Sequence, residues 1–282
     1  MTFTSYNLFM RDLSKNGIDY AVKHAKALGF SGVEFLDFCR TGAPIDKEKY
    51  PAEELKSALD ENGLTMDCYS VYACVLSNDD QELFFKEIYG IIDYAAAVGA
   101  KLFHHTLMPS LKIDLDMPKY EDVFPKVLEI EKKVVKYCSE RGLKSIFEPQ
   151  GFYFNGVEGL SKIIYALREE FPDVGLCADL GNSIDVDCDP VDVMEALGDL
   201  AKHVHIKDYL ISDESLGRRG EIRSPAGKYL NEVLPGEGEL RLGECLKILK
   251  AKGYDGRIAL EYLRDDETIR ESMQYIKNLW EK

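Results

Sequence analysis

Gly142-Leu143-Lys144-Ser145-Ile146-Phe147-Glu148-Pro149 opens the stretch of sequence that decides the fold. The short run Lys144–Glu148 ends on a carboxylate. A helical pattern over Val157–Phe171 follows, and a second short run, Val174–Asp179, ends on another carboxylate. Strand, helix and strand in that order predict two parallel strands joined by a crossover helix.

The unit repeats in both directions. Strands are expected at Phe3–Tyr6, Gly32–Leu36, Thr65–Val71, Lys101–Thr106, Lys144–Glu148, Val174–Asp179, His203–Lys207 and Arg257–Glu261. Helices are expected at Asp19–Leu28, Ala52–Asn62, Gln81–Val98, Val123–Arg141, Val157–Phe171, Pro190–Leu200, Leu240–Lys252 and Glu267–Trp280. Eight such units can close into an α/β fold of the (β/α)₈ barrel type, and 282 residues suit one barrel domain spanning 1–282. Gly29, Gly63, Gly99, Gly142 and Gly253 stand just after helical patterns, where a helix C-terminus favours positive φ. Pro51 and Pro190 fall in first helical turns, where a missing N–H costs nothing. The rival is a doubly wound open sheet. It would ordinarily carry a phosphate-binding G-x-G-x-x-G after its first strand, and Asn7-Leu8-Phe9-Met10 stands there instead. Tyr209–Glu239 departs from the alternation and is expected as a long functional loop over the catalytic face.

Composition narrows the function classes. The formal net charge of −15 disfavours a duplex nucleic acid partner, and a hydrophobic share of 45% can fill a large core. No apolar run is long enough for a membrane span and no signal-peptide pattern opens the chain, so a cytoplasmic location is expected. Cys39, Cys68, Cys74, Cys138, Cys177, Cys188 and Cys245 are scattered without a C-x-x-C pair, and read as small buried hydrophobes.

In a barrel, residues at the C-terminal strand ends surround the active site. Those ends carry Glu34 and Asp37, His104 and His105, Glu148, Asp179, His205 with Asp208, and Glu261. Taken singly, an acid at a strand end is most often a cap, and a single His a structural residue. Glu148, Asp179, His205 and Glu261 fall at equivalent places on the last four strands, and such a set would repel itself without a cation. Three carboxylates and one imidazole suit Mn²⁺ or Mg²⁺, with Zn²⁺ or Co²⁺ as admissible alternatives.

Leu28-Gly29-Phe30-Ser31-Gly32-Val33-Glu34, His203-Val204-His205-Ile206-Lys207-Asp208, Leu234-Pro235-Gly236-Glu237-Gly238-Glu239, Tyr254-Asp255-Gly256 and Ile258-Ala259-Leu260-Glu261 resemble the xylose isomerase-like barrels. That superfamily includes sugar and sugar-phosphate isomerases and epimerases of the D-tagatose 3-epimerase type, inosose dehydratases and endonuclease IV. The resemblance covers essentially the whole chain. It implies that Glu148, Asp179, His205 and Glu261 hold one divalent ion, and that Glu148 and Glu261 are also catalytic, exchanging a proton beside a carbonyl through a metal-stabilised enediolate. A sugar or polyol is the implied substrate and a homodimer the implied assembly. Dehydration, or a silent sugar-binding barrel or subunit, are the alternatives. Asn182 stands where the 3-epimerases and endonuclease IV carry a histidine, and no histidine follows His205, which argues against the endonuclease.

Asn182, His104, Glu34, Lys207 and Arg219 are the expected substrate contacts. Arg218, Arg223 and Lys228 share the long loop with Arg219 and could clamp an anionic group. Lys207 could equally form an ion pair with Asp208 or another carboxylate. Asp185-Val186-Asp187-Cys188-Asp189 begins like a calcium loop, but Pro190 and Ala196 break the pattern, so it reads as a solvated loop.

Overall fold

The computed structural model describes residues 1–39, 44–73, 75, 81–107, 119–262 and 264–282. Its strands are β1 (Thr2–Ser5), β2 (Gly32–Cys39), β3 (Thr65–Ala73), β4 (Leu102–His105), β5 (Lys144–Phe147), β6 (Gly175–Asp179), β7 (Ala201–Ile206), β8 (Asp208–Ser212), β9 (Ile222–Arg223), β10 (Tyr229–Val233) and β11 (Arg257–Leu260). Its α-helices are α1 (Asn7–Leu28), α2 (Ala52–Glu61), α3 (Gln81–Ala97), α4 (Tyr120–Glu140), α5 (Gly156–Arg168), α6 (Pro190–Leu197), α7 (Leu242–Ala251) and α8 (Asp266–Glu281). Among the described residues, eight parallel strands close in the order β1-β11-β7-β6-β5-β4-β3-β2, which excludes the open sheet.

Side-chain alternation divides each strand between two environments. Phe35, Tyr69 and Phe103 project from neighbouring strands onto the helices, with ring centroids 5.3 Å apart in the first pair and 6.3 Å in the second. Each is fully buried, which stabilises the fold by about 1.5–3 kcal/mol per side chain. The intervening residues Glu34, Cys68, Ser70 and His104 lie in register across β2, β3 and β4, and they are polar or small. Across the barrel, Cys177 pairs with His203 and Asp179 with His205, so the two histidines lie one above the other.

Gly29, Gly63, Gly99, Gly142 and Gly253 all take positive φ. Helix α1 begins twelve residues before its expected start, since Asn7 follows β1 almost directly. Gly17, at φ 83° and ψ 179°, breaks α1 and shifts the phase of its apolar face, so only the half after the break shows as one period.

Tyr209–Glu239 also differs from expectation. It folds mainly as an antiparallel sheet in the order β8-β10-β9. Asp208 ties this sheet to the barrel: Oδ2 accepts from the amides of Gly236 (3.0 Å) and Gly238 (3.1 Å), and Oδ1 from those of Tyr209 (2.9 Å) and Leu240 (3.1 Å). A Cβ on Gly238 would lie 2.3 Å from Asp208 Oδ1, which explains the glycine in Pro235-Gly236-Glu237-Gly238.

Candidate active site

Glu148 follows β5, Asp179 ends β6, His205 lies within β7 and Glu261 follows β11, so four parallel strands deliver their ends to one place. One ligating atom from each lies within 4.8 Å of all the others. His205 Nδ1 is 2.7 Å from Glu261 Oε1 and 3.3 Å from Glu148 Oε2. Side-chain exposure is 12% for Glu261 and 4% or less for the other three.

The donor set passes a specific test for a metal. Glu148 Oε2, Asp179 Oδ2 and His205 Nδ1 are buried and have no hydrogen-bond partner. Leaving such atoms unpaired costs about 1–3 kcal/mol each, more when charged. The other side of each ligand is occupied. Asp179 Oδ1 accepts 2.7 Å bonds from the amides of Gly181 and Asn182, and His205 Nε2 lies 3.0 Å from Glu34 Oε1. A carboxylate behind a histidine fixes which nitrogen faces the metal.

Burial pushes the Asp179 carboxyl up to about 7, against the pull of the Lys207 ammonium. Burial also opposes charge on Glu261, but Lys207 and His205 outweigh it and bring that carboxyl down to about 2. Lys207 Nζ contacts Glu261 Oε2 and lies 3.1 Å from Asp179 Oδ2. It is the neutralising group between two ligand carboxylates, the ion-pair alternative, with these acids in place of Asp208.

The remaining expected contacts divide. His104 belongs to the site: Nε2 lies 3.5 Å from Glu148 Oε1, Nδ1 lies 3.0 Å from Ser70 Oγ, and burial holds the ring below the ordinary imidazole range. Asn182 is buried beside Asp179, and its carbonyl accepts from Asn155. Glu34 needs correction. It is fully buried beneath the ligands and engages His203 (2.8 Å), His205 (3.0 Å) and the Ser70 hydroxyl (2.5 Å), so it is a support for His205 and no substrate contact. Arg219 is exposed in the connection between β8 and β9. Arg223 lies over the Tyr229 ring and Lys228 pairs with Asp213, so the basic loop residues are surface groups of the added sheet.

Two acids were not legible as site residues. Asp185, expected in a solvated loop, is 1% exposed, and its Oδ1 has no hydrogen-bond partner. Burial, opposed by Lys207 and reinforced by Glu232 and Glu148, lifts its carboxyl to about 7. Glu232 of β10 is raised by burial as well. With Asn7, Leu8, Arg11, Glu261 and Tyr262, Glu232 lines a cavity of about 350 Å³ at the barrel mouth. The signal for Glu232 was alternation within Tyr229–Val233, which its reading as a loop concealed. Of the cysteines, Cys74 lies outside the described residues, and Cys68, Cys138, Cys177, Cys188 and Cys245 are free thiols. No helix among the described residues is long and apolar enough to cross a membrane.

Comparison with known proteins agrees with the barrel fold. The inosose dehydratase of Clostridium botulinum (strain Alaska E43 / Type E3) is 23% identical over 94% of this chain and 89% of its own. Similar solved folds include the IOLI protein with a bound zinc atom (TM-score 0.73, 16% identity, 99% of this chain and 96% of that one). A xylose isomerase-like barrel protein from Mycobacterium smegmatis in complex with magnesium matches at TM-score 0.71 and 17% identity, over 99% and 96% of the two chains. The 3-keto-D-glucoside 4-epimerase YcjR from E. coli matches at TM-score 0.73 and 18% identity, over 99% of each chain. The model of the xylose isomerase-like TIM barrel matches residues 22–279, and the chain belongs to that family.

Proposed function

We propose that the protein is a divalent-metal-dependent enzyme of the sugar isomerase or epimerase kind, moving a proton on the carbon beside a carbonyl in a small polyhydroxylated substrate. The observation that supports this reading is the convergence, with the Glu261 carboxylate, of three buried ligand atoms that make no hydrogen bond. Glu148, Asp179, His205 and Glu261 would hold the ion, and three oxygen donors to one nitrogen favour Mn²⁺ or Mg²⁺ over Zn²⁺ or Co²⁺. When bound, the ion supplies charge stabilisation for the oxygens of an enediolate.

The chain supplies the proton handling. Glu148 and Glu261 come from strands separated by two others and lie 3.3 Å and 2.7 Å from His205 Nδ1. A substrate carbon between them meets one carboxylate on each face. One removes the proton and the other returns it to the opposite face of that carbon, which inverts the centre. Return to the neighbouring carbon interconverts aldose and ketose. Lys207 keeps Glu261 ionised and therefore able to accept a proton. Asp185 and Glu232 supply acceptors for substrate hydroxyls, and Tyr6, stacked 5.3 Å from the His205 ring, shields the ligand from water.

Expulsion of a β-hydroxyl after the same proton abstraction is the second reading, favoured by the inosose dehydratase relatives. Metal-loaded protein in deuterium oxide with a panel of ketoses and inososes separates the cases. Exchange of the α-proton with interconversion supports the first reading, and exchange with loss of water the second. Absence of exchange across the panel would leave a sugar-binding barrel and overturn both.

Support of the ligand from behind is separately measurable. His205→Ala should abolish binding of the divalent ion. Glu34→Gln should weaken it about 10–100-fold, the usual effect of removing an outer partner. Calorimetric titration with Mn²⁺ reads both, and unchanged affinity in Glu34→Gln would show that the support does not matter.

A further inference from the structure

The strand starts gather at the face opposite the proposed active site, and several begin on a cation. Lys101 directly precedes β4, Lys144 opens β5, Lys202 is the second residue of β7 and Arg257 opens β11. A parallel barrel brings all these positions to one end. In a chain of net charge −15, this concentrates positive charge where the fold does not require it.

A cavity of about 480 Å³ opens there, lined by Lys56, Lys101, Lys202 and Arg257, with His203 among the inner residues. Asp60 and Asp67 also line it, but both are engaged. Lys56 Nζ lies 2.5 Å from Asp60, while Arg257, Thr4 and Thr65 all bond Asp67. That leaves Lys101 and Lys202, neither of which makes an ion pair or side-chain hydrogen bond among the described residues. Burial lowers the affinity of Lys202 for its proton, and Lys144 adds to the effect. The Lys202 stem is held against β6, where a Cβ on Gly175 would lie 2.6 Å from Lys202 Cε. Both side chains line one concave surface, where a dianion could be shared between two ammonium groups that have no ion-pair partner of their own among the described residues.

We propose that this cavity binds the phosphate group of a small metabolite between Lys101 and Lys202. The volume exceeds what one phosphate fills, leaving room for an organic part beside Leu59, Met66 and Val98. The site also has a physical route to the opposite face. His203 lines the cavity and bonds Glu34 at 2.8 Å, and Glu34 supports His205. A ligand that shifts His203 therefore alters the seat of a metal-binding histidine.

Calorimetric titration of the purified protein with inorganic phosphate and with glycerol 3-phosphate, at constant ionic strength in chloride, tests the proposal. Saturable binding is expected for both probes, tighter for glycerol 3-phosphate if a phosphorylated metabolite is the ligand and equal if free phosphate is. Lys101→Gln combined with Lys202→Gln should weaken binding at least tenfold, with the fold and basal activity unchanged. Lys101→Arg with Lys202→Arg should restore it, and Arg219→Gln should have no effect. Equal binding by wild type and the double Gln variant, or no saturable binding beyond chloride, would overturn the proposal.

Discussion

Glu148→Gln and Glu261→Gln should each lower turnover by about 10²–10⁴-fold, the scale of a positioned acid–base group, while most of the bound metal remains. Glutamine keeps an oxygen ligand and nearly the same volume but cannot carry the proton. The two variants should also differ in kind. With one base on each face, either variant still exchanges the α-proton of one epimer slowly yet fails to interconvert the pair. Single-epimer exchange in deuterium oxide, followed by proton NMR, reads this directly. Asp179→Asn provides the contrast. Asp179 Oδ1 is committed to two amides, which leaves Oδ2, beside Lys207, as the atom to face the ion, so the amide should cost metal and exchange together. A Glu→Gln protein that holds metal and turns over near the wild-type rate would make that glutamate structural.

Glu131→Gln should stabilise the protein increasingly as pH rises. Glu131, on α4, is fully buried, and neither carboxyl oxygen has a hydrogen-bond partner. Its neighbour His105 lies 3.4 Å away without hydrogen-bond geometry, and its ring packs 4.9 Å from Phe147. Burial lifts Glu131 well above the carboxylate range, while burial and then His104 bring His105 down to about 3. Near neutrality His105 is therefore uncharged in the folded protein, and Glu131 keeps its proton to higher pH than it does in the unfolded chain. Unfolded, Glu131 ionises around its ordinary value of 4.5. As pH climbs past that value, the unfolded chain sheds a proton that the folded chain retains. Folding then loses about 1.4 kcal/mol per pH unit until the folded carboxyl ionises as well. The depressed His105 acts oppositely, contributing stability above its unfolded value and losing it as pH falls toward 3, but both proteins share that effect. Glutamine does not titrate. Urea unfolding between pH 4 and 8 should show the variant's advantage growing from about pH 4.5 upward; a difference that does not change with pH would refute the account.

What could be read beforehand follows from which properties are local. Strand ends were legible because a polar residue closing an apolar run, as in Ser145-Ile146-Phe147-Glu148, is a local pattern. Parallel closure then brings such ends together without further information, and Glu148, Asp179, His205 and Glu261 do converge. The fate of Glu34 was not local. It occupies a strand position like those of the ligands, but two histidines on a distant strand claim its oxygens from below. Asp185 was misread for the converse reason: a short acidic run has the composition of a solvated loop, and only tertiary packing buries it. Arg219 followed from assuming an irregular loop folded over the mouth, whereas strand pairing orders much of the segment and leaves Arg219 exposed between β8 and β9. Arg11, by contrast, lines the mouth cavity beside Glu261.

The grip of Asp208 on both ends of the added sheet has an evolutionary consequence. Its Oδ1 takes the amides of Tyr209 and Leu240, so the chain leaves the barrel and returns to it through one carboxylate. Everything between is closed as a loop whatever its content, and doubling the length of such a loop costs only about 0.6 kcal/mol in closure entropy. The segment is thus an interchangeable cassette. Its length can therefore change at little cost in closure, while Glu148, Asp179, His205 and Glu261 stand at the ends of barrel strands outside it.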